Sequence, residues 1–107
     1  MNVFEHEQGE LLIEFESKEF TAICPFDGKP DSYKLLIRFM SNGLSVESQS
    51  LNDWLLTFRD QVLSAEELTG VIAYELNELL CPSHILVMLK QSIRSGLQLT
   101  VQKEINQ

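Results

Sequence analysis

From Leu11 to Ile23 β-branched and aromatic residues recur among polar ones, and Phe15, Thr21 and Ile23 mark a strand that Pro25, Gly28 and Pro30 bring to an end. A second apolar stretch, YKLLIRFM from Tyr33 to Met40, predicts another strand. Ser41-Asn42-Gly43 reads as a turn before a short extension, Leu44 to Glu47. The period then changes. After Ser50, a suitable N-cap, Leu51, Trp54, Leu55, Phe58 and Val62 recur at helical spacing. Ser64 with Glu67 three residues on forms a capping box that opens a second helix. Leu68, Val71, Ile72, Leu76 and Leu79 supply its stripe, and Pro82 stops it. His84 to Gln91 (HILVMLKQ) and Leu97 to Lys103 (LQLTVQK) read as two further strands joined by a turn around Ser95-Gly96.

The order ββααββ predicts an α+β fold, a four-stranded antiparallel sheet with both helices on one face. Its other face and both edges are left without cover. Bare strand edges pair with other chains, so a ring of copies whose sheets join into a barrel is the expected solution. No repeat, low-complexity tract or linker divides the sequence, and residues 1–107 are read as a single domain.

Composition narrows the function classes. The chain is 44% apolar and 22% charged, the balance of a folded globular protein. No apolar run approaches the roughly 18 residues needed to span a bilayer, and the acidic start MNVFEHEQGE lacks the pattern of a signal peptide. A cytoplasmic chain with no membrane partner is expected. A formal charge of −8 repels nucleic acid at long range. His6 and His84 stand outside any Cys/His/carboxylate cluster at ligand spacing, and no metal is predicted. Cys81, at the end of an apolar run, reads as a packed thiol, and Trp54 as core.

The segment EFTAICPFDGKPD, Glu19 to Asp31, carries the candidate chemistry. Pro25 forces Cys24 into extended backbone, and the Gly28-Pro30 turn can fold Asp31 back toward the thiol. A nucleophile and a proton donor would then share one pocket. For such a pair taken by itself, a buried apolar cysteine and a turn-forming aspartate are the commoner arrangement, and spacing alone does not establish catalysis.

Glu19, Phe20, Thr21, Cys24, Pro25, Gly28, Pro30 and Asp31 resemble the motif of the 7-cyano-7-deazaguanine (nitrile) reductases, with Asp27 where that family has threonine. The resemblance continues through VESQSLNDWLLTFR, where Val46, Glu47, Ser48, Ser50, Leu51, Phe58 and Arg59 also fit, and runs on to about Val101. It implies the tunnelling fold, homo-oligomers and sites between subunits. It implies further that Cys24 attacks the nitrile carbon to give a thioimide, that Asp31 protonates the nitrile nitrogen, and that Glu66, Glu47 and Ser48 bind the deazaguanine. A carboxylate suits the last task, because the base presents two adjacent N–H donors on its pairing edge.

The chain also departs from that pattern. Ser64-Ala65 stand where the reductases carry Phe-His before Glu66, and Gln49 and Asn52 replace two lysines that would meet NADPH phosphates. Arg94 matches a basic position and is the remaining cofactor candidate. The leading expectation is NADPH-dependent reduction of 7-cyano-7-deazaguanine to the aminomethyl base. The alternative is an amidinotransferase that adds ammonia to the thioimide of a tRNA-borne base, giving archaeosine. A third is a non-catalytic subunit that binds a deazapurine or builds an oligomer.

Overall fold

The computed structural model describes all 107 residues. The elements run β1 (Val3–Ile23), β2 (Pro30–Val46), α1 (Ser48–Leu56), a 3-10 turn (Thr57–Asp60), α2 (Ala65–Leu80), β3 (His84–Gln91) and β4 (Thr100–Asn106). The four strands form one antiparallel sheet in the order β1-β2-β3-β4, so every neighbour in space is a neighbour in sequence. This is the expected α+β arrangement.

Alternation along the strands sends Phe20, Ala22, Tyr33, Leu35, Ile37, Phe39, Ile85, Val87 and Leu89 to the helical side, where all are buried. From α2, Leu68, Ile72, Leu76 and Leu80 meet them at four-residue spacing, with Ala65, Thr69 and Ala73 letting the helix approach closely. Each such leucine or isoleucine contributes about 1.5–3 kcal/mol by leaving water. Val71 and Leu79, expected in this stripe, lie on its flank and are exposed.

Several boundaries differ from expectation for identifiable reasons. β1 begins at Val3, because a bulge between Glu5 and Glu10 carries the strand past Gly9, whose φ is +73°. Ser41-Asn42-Gly43 is no turn. It lies within β2 opposite that bulge, with the Ser41 hydroxyl donating to the Leu44 carbonyl at 2.7 Å and meeting His6 Nε2 at 2.6 Å. Glu47, not Ser50, caps α1: its carboxylate accepts from the N–H groups of Gln49 and Ser50. α1 stops at Leu56, so Phe58 is buried from the 3-10 turn, edge-on to Trp54 with ring centres 5.0 Å apart. Val62, expected on α1, is in extended chain and bridges Ile23. Cys81 is exposed rather than packed. It adopts the left-handed conformation (φ 46°) that ends α2 before Pro82. β4 starts at Thr100, since Ser95 and Gly96 both turn left-handed and close a bridge between Arg94 and Leu97.

The face of the sheet away from the helices carries Leu36, Leu86 and Met88, and no further strand covers the outer edges of β1 and β4, where β1 meets only the bridge from Ile23 to Val62. No helix is long and apolar enough to cross a membrane.

Candidate active site

The loop between β1 and β2 is wound tightly about Cys24. Its N–H donates to the Lys29 carbonyl at 2.8 Å, its carbonyl accepts from Gly28 N–H at 3.0 Å, and its sulfur accepts from Phe26 N–H at 3.4 Å. Gly28, at φ +72°, makes the reversal that a side chain would strain. Asp31 then re-enters the sheet opposite Ala22, pointing to the helical side.

A second connection brings α2 to the same place. Ile23 donates to the Gln61 carbonyl at 2.9 Å and accepts from Leu63 N–H at 3.1 Å, so the chain entering α2 runs beside the residue preceding Cys24. At the start of α2 the capping box is complete: Ser64 Oγ accepts from Glu67 N–H, and Glu67 Oε1 accepts from Ser64 N–H, each at 3.1 Å. Glu67 is committed to the cap. Glu66 is left to face the cysteine loop, and Cys24, Asp31, Tyr33, Ala65, Glu66 and Gln91 line one cleft of about 110 Å³.

Asp31, only 5% exposed, accepts from Arg94 Nη1 at 2.5 Å and from Gln91 Nε2 at 3.4 Å. The second guanidinium nitrogen of Arg94 pairs with Asp27. Arg94 therefore joins the cysteine loop to the buried carboxylate. The Lys29 N–H, at 2.9 Å, and then Arg94 hold the Asp27 carboxyl down at about 2, while the two aspartates push the guanidinium well above its ordinary value. Burial, and then the nearby acidic groups Asp31, Cys24 and Glu66, raise the Tyr33 phenol to about 12, so it stays protonated at any physiological pH.

Of the residues named from sequence, Cys24, Asp31 and Glu66 meet in the cleft, and Arg94 abuts it through Asp31. Glu47 and Ser48 do not. Ser48 lines a different hollow with Phe15, Leu35 and Ile37, and Ile37 is six residues along β2 from Asp31, about 20 Å at strand rise. Tyr33 and Gln91 were not singled out by motif. Tyr33 shares the inward face with Asp31 two residues before it, and Gln91 is its partner on β3.

The phosphates of a nicotinamide cofactor find no fitting set within one chain. Gln49 is bonded to Asp53 and Asn52 carries no charge. The first N–H groups of α1 are covered by Glu47, and Arg94 is held by two aspartates. No three His, Cys, Asp or Glu side chains gather into a group that could hold a metal ion.

Comparison with known proteins follows the same lines. The family described as QueF-like protein matches residues 30–107. An NADPH-dependent 7-cyano-7-deazaguanine reductase of Syntrophus aciditrophicus (strain SB) is 30% identical over 99 residues, which cover 92% of this chain and 71% of that protein. The reductases so named from Bacillus pumilus (strain SAFR-032) and Staphylococcus aureus (strain JH9) are each 33% identical over 94 residues, 88% of this chain. The chain spans 57% of their length. Among solved structures, an archaeosine synthase QueF-like in the apo form superposes with a TM-score of 0.81 at 18% identity, over 87% of this chain and 91% of that one. That likeness speaks for the fold. Taken with the matched residues, it leads to one assignment: the chain belongs to the QueF-like family, in the tunnelling-fold arrangement.

Proposed function

We propose that the chain captures the nitrile of 7-cyano-7-deazaguanine as a covalent thioimide on Cys24. The observation that carries this reading is the convergence of a thiol, a buried carboxylate and a second carboxylate on one cleft from three separate elements. Such a set matches a small nitrile on a base with paired N–H donors. Glu66 accepts the two donors of the pairing edge and fixes the ring. The Asp31 carboxylate takes the proton of the Cys24 thiol as sulfur attacks the nitrile carbon. A C–S bond forms, one π pair of the C≡N bond moves to nitrogen, and the proton passes from Asp31 to that nitrogen. Atoms and charge balance without any co-reactant. Arg94 is a positioning residue in this scheme, since it touches Asp31 and not the substrate.

A cleft of about 110 Å³ is smaller than the roughly 300 Å³ of an ordinary ligand pocket, so one chain supplies part of a site. A neighbouring copy, joined through the bare edges of β1 or β4, completes it and brings Glu47 and Ser48 to the base. Phe26, 90% exposed at the lip, is placed to lie against the ring or the neighbour.

Two fates of the thioimide remain in view. Reduction with NADPH is the activity in the names of the Syntrophus, Bacillus and Staphylococcus relatives. Addition of ammonia, with release of an amidine, is favoured by the absence of a fitting phosphate site around Gln49, Asn52 and Arg94. Presenting the nitrile, free or in tRNA, with NADPH or with ammonium and identifying the released product separates them. Oxidation of NADPH on the free base supports reduction. An amidine from ammonium with NADPH untouched supports the transfer reaction, and no product or adduct under any combination refutes the proposal.

A further inference from the structure

Few side-chain hydrogen-bond donors line the cleft. Ser64 Oγ donates to Glu67, the Gln91 amide puts one of its two N–H groups on Asp31, and Arg94 is turned toward Asp27 and Asp31. The Ala65 side chain offers no polar group, and the carboxylates of Asp31 and Glu66 only accept. Tyr33 adds a hydroxyl that no side chain of the protein engages. Its ring is held against Phe20, with centres 6.1 Å apart, and the residue is 2% exposed. The phenol makes no side-chain hydrogen bond, yet no fully buried side-chain polar atom of the protein lacks a partner. Its hydroxyl is therefore not sealed in the core, and the residue lines the cleft.

We infer that Tyr33 is a catalytic residue that donates a hydrogen bond to the nitrile nitrogen as Cys24 attacks. This rests on the thioimide reading above and extends it. Attack moves a π pair onto nitrogen, and that atom needs a fixed donor at the moment its charge develops, before the proton arrives through Asp31. The phenol supplies the donor without giving up its proton, so the balance of the step is unchanged. Its protonated state, secured by burial and by the acidic groups beside it, suits it to donate throughout the neutral range.

The test compares wild type with Tyr33→Phe, which keeps the buried ring and removes one oxygen. Rapid mixing with 7-cyano-7-deazaguanine and acid quench, read by intact mass, gives the rate of adduct formation. Binding of the base is measured separately by calorimetry in the Cys24→Ala background, where no adduct can form. The expected result is an adduct rate lowered by about 10²–10³-fold, the usual effect of losing one such donor, with base affinity changed less than about 3-fold. A Tyr33→Phe protein that forms adduct at the wild-type rate overturns the inference. Weakened binding with an unchanged rate also overturns it, since the hydroxyl then serves the ring and not the nitrile. A wild-type protein that forms no adduct instead removes the thioimide reading itself, and the inference with it.

Discussion

Arg94 and Asp31 stand 63 residues apart in sequence and 2.5 Å apart in the fold, the guanidinium on the β3–β4 turn donating to a carboxylate buried at the start of β2. The same guanidinium grips Asp27 on the cysteine loop. One side chain thus sets the position of the proposed proton carrier and of the loop that holds the nucleophile.

Replacing Arg94 by Ala should slow adduct formation by at least about 10-fold, because Asp31 loses its alignment. Lysine should restore little, as one ammonium cannot span two carboxylates as a planar fork does. Adduct rates of Arg94→Ala and Arg94→Lys check this. Full rescue by lysine would show that only charge matters.

Asp27 gives the cysteine loop a pH dependence with a definite sign. Its carboxyl is lowered from 3.8 to about 2 by the Lys29 N–H and by Arg94. The stabilisation is fully present above about pH 4 and is lost as pH falls toward 2. Amide exchange at Lys29 and Gly28 should therefore quicken across that window in the wild type. In Asp27→Asn it should be fast at all pH values and show no step.

Glu66 and Glu67 are adjacent in sequence and opposite in task. Glu66→Gln should weaken base binding by roughly 10-fold to 100-fold, since a lost charge-assisted bond costs about 1.5–3 kcal/mol. Glu67→Gln should leave affinity within a few-fold and lower stability by about 1 kcal/mol or less, through the cap alone. Calorimetry and urea unfolding on both variants read the contrast. The opposite pattern would move the anchor to Glu67.

How much of this was legible in the sequence depends on how local the cause is. The bounds of β3 and the capping box at Ser64 follow from neighbouring residues, and the structure has both as read. Ser41-Asn42-Gly43 misled because turn-forming residues also suit a bulge, and only the strand opposite, with His6 reaching Ser41, decides between them. Glu47 rather than Ser50 caps α1 because a carboxylate two and three residues ahead reaches both free N–H groups. At the site, Cys24 and Asp31 were picked out by the Cys-Pro strand end and the turn after it, and a family likeness supplied their roles and Glu66. The Asp27–Arg94 link and the Tyr33 hydroxyl were not found, since both depend on contacts between distant segments.

Lys34 and Lys90 sit directly opposite each other on β2 and β3, and neither has an ion-pair partner, while Arg38 on the same face is paired with Glu14 at 2.7 Å. Like charges in that register repel, and opposite ones attract by about 0.2–1 kcal/mol. Lys34→Glu should therefore raise the urea midpoint, and the gain should shrink in high salt. A lower midpoint in low salt would mean that an anion or a second chain already neutralises the pair.

The most direct measurement of the central claim is the intact mass of the full chain after incubation with saturating 7-cyano-7-deazaguanine. One added substrate mass is predicted, carried on the peptide containing Cys24 after digestion, absent in Cys24→Ala and unaffected in Cys81→Ala. An unmodified wild-type chain, or an adduct that survives Cys24→Ala, would contradict the account.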